Sequence, residues 1–433
     1  MASLQQPSGG LDLDNVQGDI LLNGLAKKNE IFLFFTINDA KAFCQKLKAA
    51  ADEKTHTLHG AFARDKIAGN SGNGIVPVVG ANIAFSFKGL QKMATVLASL
   101  PLQTQDRAFE AGMKAAAVSL NDPLKNGSSE LVCEAPYFAP QNLHGVILVA
   151  GSDDATCQQK LQKVMSVFGS SMSEVTRVSG KVRPGENKGH EHSGYLDGIS
   201  EPAVQGVNPS GTVPPGQDTI QPGVILCGRP GVDNRRQLPV LPQARAEGPR
   251  VEPVPRRRLQ PAGHVVRATG RAPDRPLEER VRINSTLTPA TSDAHCGAHI
   301  RKMNPRGDLG RATVNQFRIL RRGIAYGDEV DAHPTGERGL LFVCYQSNIA
   351  SGFQFLQQTW ANGPGFSQEG SGLDAAMGQS NTEKTVDMKG LFPQDEQKPL
   401  ALSRVNRFVV PKGGEYFFTP SMSAPRTTLS AVK

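Results

Sequence analysis

The first 185 residues alternate between short apolar runs and amphipathic stretches, and this order constrains the fold more than any other feature of the chain. Strands are predicted at 31–37, 76–87, 144–151 and 174–182, and helices at 39–51, from residue 89 onward, and from Asp153 or Asp154 to residue 168. The helix at 39–51 carries its apolar residues at helical spacing, and an aspartate is a good N-cap for the helix that ends at 168. Four strands crossed by long helices indicate an α+β fold built on one sheet.

The order strand, helix, strand, strand, helix, strand is that of a ferredoxin-like unit. Similar pieces recur in the second half: an apolar run at 223–226, a buried strand at 339–345, a helix at 352–360 and a hairpin pattern at 407–418. We therefore predict two ferredoxin-like domains that face each other, residues 12–185 and residues 186–433. Pockets commonly form between such domains.

The net charge of +8 is concentrated in one segment of the second domain. Between Arg229 and Arg282 there are thirteen arginines against six acidic residues, which accounts for seven of the eight positive charges. The same stretch has no Lys, Phe, Tyr, Trp, Ile or Met and is dense in Pro, Gly and Ala. A segment of this composition cannot bury much apolar surface, so we expect residues 229–283 to lack a core of their own.

Three interpretations of residues 229–283 remain open: a basic nucleic-acid arm, a disordered linker, or a segment translated out of frame. Arginine without lysine or interleaved aromatic residues is unlike most basic arms, so no specific nucleic acid is expected. The codons of residues 232–237, read one nucleotide later, can spell Trp-Thr-Thr-Asp-Gly-Ser. That sequence is typical of a globular protein, and it favours the frame error.

The remaining composition is that of a globular protein, with 38% hydrophobic and 20% charged residues. No apolar run approaches the roughly 20 residues that span a bilayer, so no membrane partner is expected. Six cysteines are scattered singly, which predicts neither a disulfide framework nor a structural zinc site; Cys296 and His299 alone are too few ligands. Residues 1–16 lack the basic and apolar regions of a classical secretory signal.

Three polar positions could carry chemistry. Asp197 lies between glycines in Gly-Tyr-Leu-Asp-Gly at 194–198, where a bare backbone lets a carboxylate approach a ligand, although many such aspartates only stabilise a turn. His299 precedes Arg301 and Arg306, and Arg321 follows further along. A haem needs an axial nitrogen and cations for its propionates, which this group would supply, although a lone histidine is more often a surface or packing residue.

Five motifs in chain order resemble the fungal dye-decolorizing peroxidases, which are haem enzymes of the dimeric α+β barrel type. The motifs are Asn-Val-Gln-Gly-Asp-Ile-Leu at 15–21, Gly-Tyr-Leu-Asp-Gly-Ile-Ser at 194–200, His-Ile-Arg-Lys at 299–302, Arg-Arg-Gly-Ile at 321–324 and Gly-Gly-Glu-Tyr-Phe-Phe at 413–418. The similarity covers nearly the whole chain except the arginine-rich segment. The family carries Trp-x-x-Asp-Gly-Ser near that point, which supports the frame error.

The resemblance implies a role for individual positions. Asp197 matches the acid–base residue on the peroxide side of the haem, Arg321 the arginine beside it, and His299 the axial ligand of the iron. The remaining matches are the propionate contacts Arg301 and Arg306, the apolar pocket residues Leu340 and Phe342, the carboxylate Asp374 that orients the axial imidazole, and the surface electron relays Tyr326 and Trp360.

The resemblance also implies the cofactor and substrates: haem b in the second domain near the interface, hydrogen peroxide, and dyes or phenols as aromatic reductants. Family members include secreted enzymes. Ser193, Glu201, Gly297 and Ala325 depart from the usual family residues, Glu201 standing where Gln or Asn is common. The alternative is a haem-free relative without catalysis, whose basic segment binds acidic polymers non-specifically.

Overall fold

The structure is a computed structural model. It describes residues 13–18, 20–21, 28–52, 79–100, 102, 104, 106–125, 128–132, 143–192, 194–196, 201–208, 217–226, 297–381, 385–388, 400–403 and 409–433. Asp197, Ser193 and residues 229–283 lie outside these ranges, so the predictions made for them are not tested by the coordinates. Within the described ranges, no helix is long and apolar enough to span a membrane.

The first half forms one antiparallel four-stranded sheet crossed by helices. In chain order its elements are β1 Asn29–Ile37, α1 Ala40–Asp52, β2 Val79–Phe85, α2 Phe87–Ala94, α3 Arg107–Ala111, α4 Met113–Ala116, β3 Gly145–Gly151, α5 Asp154–Phe168 and β4 Met172–Lys181. The strand order is β2-β3-β1-β4, with every neighbouring pair antiparallel. This order confirms the predicted ferredoxin-like unit.

The sheet is covered on both faces, which explains why β1 and β3 are apolar at nearly every position. Ile31, Leu33 and Phe35 pack with the helices in one core, whereas Phe32 and Phe34 join a second core that includes residues of the second half. A strand buried on one face would alternate apolar and polar residues; these strands instead read as continuous apolar runs. Residues of the second half therefore pack on the face of the first sheet opposite α1 and α5.

Side-chain caps set several helix starts, and two of them bear on the predictions. Asp153 accepts a hydrogen bond from the Thr156 amide at 2.8 Å, which selects Asp153 over Asp154 as the N-cap of α5. Ser86 does the same for α2 through the amide of Gly89 at 3.0 Å. The prediction that the second strand extends to Phe87 is wrong, because Ser86 ends it and Phe87 is already helical.

The described part of the second half consists of short elements. They are β5 Ala203–Val204, β6 Thr219–Ile220, α6 His299–Lys302, α7 Arg306–Leu309, α8 Arg311–Val314, β7 Leu320–Arg321, β8 Ile324–Tyr326, β9 Gly339–Leu341, β10 Cys344–Tyr345, α9 Phe353–Phe355, β11 Thr385–Met388 and β12 Leu400–Ser403. A π-helix, Leu356–Ala361, extends α9. Strands pair as β5 with β6, β7 with β10, β8 with β9, and β11 with β12.

One-turn 3₁₀ helices occur in both halves of the described chain. They lie at Leu13–Asn15, Gly169–Ser171, Gly185–Asn187, Pro222–Val224, Asn315–Phe317, Ala424–Arg426 and Thr428–Ser430.

Two predictions for the second half need correction, and a third is only partly described. The strand expected at 223–226 is a 3₁₀ helix, Pro222–Val224, followed by the buried Ile225 and Leu226; proline favours this helical start. The single strand expected at 339–345 is divided, because β9 pairs with β8 and β10 pairs with β7. Residues 407–408 of the hairpin pattern lie outside the described residues, so the hairpin stays a prediction; Phe418 in its second arm bonds to Phe85 at the edge of the first sheet. The domain boundary at 185/186 stays a prediction.

Candidate active site

The centre of the candidate site is a histidine held by a buried carboxylate. His299 begins α6, and its Nδ1 lies 2.8 Å from Oδ2 of Asp374. Asp374 is completely buried, and its other oxygen, Oδ1, accepts hydrogen bonds from the amides of Ala376 at 2.9 Å and Met377 at 3.0 Å. With both oxygens engaged, the carboxylate cannot rotate away from the imidazole.

This contact decides which imidazole nitrogen is available to a metal. Burial lowers the pKa of His299, but the Asp374 carboxylate raises it by more, so the pKa lies above its ordinary value. Burial opposes ionisation of Asp374, yet His299 and two backbone amides hold the pKa of Asp374 below its usual range. A carboxylate at Nδ1 selects the tautomer in which Nδ1 carries the proton and Nε2 can donate to a metal.

Lys302 joins the helix of His299 to the loop that carries Asp374, and nothing in the sequence analysis singled it out. Its ammonium is completely buried and donates to the carbonyls of Gly363, at 2.7 Å, and Gly372. The Asp374 amide bonds the carbonyl of Ala361 at 2.8 Å. The sequence pointed to Lys302 through its place three residues after the candidate ligand His299. The carbonyl partners of Lys302, however, are set by tertiary contacts.

Arg301 and Arg306 occupy different surroundings. The Arg301 guanidinium pairs with Asp308, with Nη2 and Oδ1 at 2.8 Å, inside a buried contact. Arg306 lies 3.9 Å from Asp218, and burial lowers the pKa of Arg306. Both guanidinium groups thus lie near a protein carboxylate, Arg301 near Asp308 and Arg306 near Asp218. Both propionate roles stay predictions.

Arg321 lies on β7 and contacts Glu201, 120 residues earlier in the chain. The Arg321 amide donates to Oε1 of Glu201 at 2.9 Å, and its guanidinium Nε lies 3.4 Å from Oε2. The charge of Arg321 is among those that lower the pKa of His299, after the larger effects of burial and Asp374, so the two side chains are electrostatic neighbours. The structure therefore brings His299, Asp374 and Arg321 into one region.

Tyr195 is a neighbour of His299 that the sequence analysis did not select. Its ring centroid lies 6.0 Å from that of His299, and burial, followed by the charges of Asp374 and Glu191, raises the pKa of Tyr195 to about 12. The phenol is therefore neutral in the working pH range. The sequence pointed to Tyr195 through its place in Gly-Tyr-Leu-Asp-Gly, two residues before Asp197.

The predicted apolar and relay residues differ in their placement. Leu340 pairs with Ala325 across β8 and β9, and Phe342 packs on Phe353 with ring centroids 6.2 Å apart. Trp360 is only 1% exposed, so the prediction that it lies on the surface is wrong. Tyr326 is partly buried against the second core.

Trp360 is instead the centre of an aromatic cluster. It stacks on Phe366 at 5.0 Å, and it lies 5.7 Å from Phe317 and 5.6 Å from Phe355. This packing supports a structural role for Trp360. Electron transfer through Trp360 or Tyr326 stays a prediction.

A helix-borne histidine held by a buried carboxylate, in a chain whose first half is a ferredoxin-like α+β unit, has the parts expected of a haem peroxidase. The family model for the DyP dimeric alpha+beta barrel domain matches residues 15–184, and that for the Dyp-type peroxidase C-terminal domain matches residues 271–369. The chain belongs to the dye-decolorizing peroxidase family.

Relatives match along almost the entire chain. The dye-decolorizing peroxidase msp1 of Mycetinis scorodonius is 34% identical over 99% of this chain and 90% of its own length. That of Exidia glandulosa is 35% identical over 97% of this chain and 88% of its own.

Solved structures agree with these relatives. An ancestral D-type dye-decolorizing peroxidase aligns with a TM-score of 0.78 at 35% identity, covering 97% of this chain and 99% of its own. A dye-decolorizing peroxidase in complex with 2,6-dimethoxyphenol aligns with a TM-score of 0.77 at 32% identity, covering 98% of this chain and 100% of its own. These matches agree with the α+β fold and the peroxidase activity predicted from the motifs.

Proposed function

We propose that this chain binds haem b through His299 and uses hydrogen peroxide to oxidise dyes, phenols and similar aromatic reductants. The observation that carries the proposal is the 2.8 Å contact between His299 and the fully buried Asp374. A neutral imidazole oriented by a carboxylate is the donor that haem iron takes in peroxidases. The residues present therefore fit the group, with Arg301 and Arg306 as the candidates for its propionates.

Held by His299, haem would supply the redox chemistry of the reaction, which is the two-electron reduction of peroxide and the one-electron oxidation of the reductant. The protein must manage the protons of this reaction. We assign to Asp197 the removal of a proton from one peroxide oxygen and its return to the other, which leaves as water; such acid–base help contributes about 10²–10⁴-fold. The Asp197 side chain lies outside the described residues, so its assignment rests on the family motif.

Arg321 stabilises negative charge in the proposed reaction. Its guanidinium can donate hydrogen bonds to the negative charge that develops on peroxide as the proton leaves. At the proposed ligand, Asp374 keeps the Nδ1 proton of His299 in place and strengthens the imidazole as a donor. The phenol-bound relative supports phenols as reductants for this chain.

Haem binding can be tested directly on the full chain. Reconstitution with haem should give a Soret band, and His299→Ala should lose it while retaining the circular dichroism of the haem-free chain. His333→Ala is the matched control, because His333 is an exposed histidine paired with Asp328 and should keep the band.

Asp197→Asn separates haem binding from catalysis. We expect its haem content to be unchanged and its peroxide turnover to fall by about 10²–10⁴-fold. A wild-type chain that takes up no haem would instead favour the haem-free relative, and unchanged turnover in Asp197→Asn would remove Asp197 from its assigned role.

A further inference from the structure

Glu201 binds two consecutive arginines with one carboxylate. Its Oε1 accepts the amide of Arg321 at 2.9 Å and the Nη1 of Arg322 at 3.2 Å, while Oε2 lies 3.4 Å from the Nε of Arg321. The Glu201 side chain is 15% exposed. Charge-assisted hydrogen bonds of this kind are stronger and more directional than neutral ones. Glu201 therefore constrains both the backbone and the side chain of Arg321.

Arg322 restrains the Glu201 carboxylate, so that the carboxylate does not follow movements of Arg321. Its side chain is 8% exposed, its Nη1 donates to the carbonyl of Arg321 at 2.7 Å, and its Nη2 donates to the carbonyl of Ile20 at 3.1 Å. Glu201 is thus held by a guanidinium that is itself attached to the N-terminal segment. A side chain supported in this way is pre-organised, so it can fix the orientation of Arg321 before any ligand arrives.

The position of Glu201 in the chain gives this contact a second consequence. Glu201 follows Asp197 by four residues, on the segment that leads into β5. The Glu201–Arg321 contact therefore connects the segment that leads into β5 to the strand of Arg321, although the two lie 120 residues apart in sequence.

We propose that Glu201 is a positioning residue for the peroxide reaction, which holds the backbone and the guanidinium of Arg321 in place. This inference rests on the proposed peroxidase function. Misplacement of a catalytic group by about 1 Å can cost up to 10²-fold in rate. Glu201 does not contact the reacting atoms in this role; it acts through Arg321.

The test compares Glu201→Ala with Glu201→Gln in haem-loaded full-length protein. Alanine removes every contact, whereas glutamine keeps an oxygen that can accept the Arg321 amide. We expect Glu201→Ala to lower the second-order rate constant for peroxide by about tenfold or more, and Glu201→Gln to recover part of it. The steady-state parameters for the phenolic reductant should stay near wild type, because the reductant step does not need Arg321.

Cyanide affinity provides a readout independent of turnover. Cyanide binds ferric haem as an anion on the peroxide side, so a misplaced Arg321 should weaken it in the same order: alanine most, glutamine less. Glu174→Gln is the control, since Glu174 pairs with the exposed Arg177, at 2.8 Å to Nε, and should change neither value.

The outcomes separate this inference from the proposed function. Wild-type protein without a Soret band or peroxide reaction would contradict the proposed function itself. If wild type reacts normally, Glu201→Ala with an unchanged peroxide rate and cyanide affinity would overturn the positioning role. A loss of equal size in the peroxide and reductant steps would also overturn it, because general structural damage would then explain the result.

Discussion

Replacing Asp374 tests the central contact of the site. Asp374→Ala removes the acceptor of His299 Nδ1 and of two backbone amides, at 2.8, 2.9 and 3.0 Å, inside a fully buried site. Losing a buried charged acceptor of three hydrogen bonds in this way costs about 3–5 kcal/mol of unfolding free energy. Much of that cost comes from groups left buried without a partner.

Asp374→Asn is the more selective change. Its carbonyl oxygen can still accept the amides of Ala376 and Met377, so only the His299 contact is lost. The new NH₂ group must face Nδ1, which favours the wrong imidazole tautomer. We expect a loss of about 1–3 kcal/mol in unfolding free energy. Haem affinity should fall by about 10–100-fold, as it does for other lost supports of metal ligands.

Urea unfolding of the haem-free chain measures the first quantity, and a Soret titration measures the second. Glu329→Gln is the control, because it removes the charge of an ion pair with Arg183 that does not include His299. Since the folded-state pKa of Asp374 is depressed, its stabilisation is present above the ordinary carboxyl pKa and is lost as pH falls through the folded value. Wild-type haem affinity in Asp374→Asn would refute the orienting role.

Two further changes test the supporting structure. Glu415 is partly buried and accepts the amides of Met113 and Tyr416, and removal from water raises the pKa of Glu415. The unfolding free energy of Glu415→Gln in urea should therefore equal that of wild type at about pH 3.5, where both side chains are neutral. At about pH 7 it should exceed that of wild type, because the wild-type charge is then destabilising. Equal stability at both pH values would contradict this. Trp360→Ala should cost about 3–5 kcal/mol in the same assay, because it empties the centre of an aromatic cluster. A loss below about 1 kcal/mol would show that the cluster collapses around the gap.

The first domain was predictable because its information is local. Apolar runs in β1 and β3 and the helical spacing in α1 reflect contacts that each element makes along its full length. The errors fell at boundaries, where one cap such as Ser86 decides the outcome. The second half was less predictable, since the partners of β9 and β10 are chosen by neighbouring strands rather than by their own residues.

The candidate site shows the same division. The motifs identified His299, Arg321 and Asp374 as chemically suitable, and the structure brings His299 and Asp374 into contact. Nothing local indicated that Lys302 would be fully buried, or that Arg301 would pair with Asp308. These choices depend on which loops meet, so residue type and spacing do not determine them.

The sequence by itself determined the peroxidase family, the ferredoxin-like first domain and the residue types of the site, because motifs and periodicity are properties of neighbouring positions. Only the tertiary structure decided that Trp360 is buried and that Glu201 binds Arg321. A buried charge or large ring must find its partner wherever the folded chain brings one, and here the partner of Arg321 lies 120 residues away.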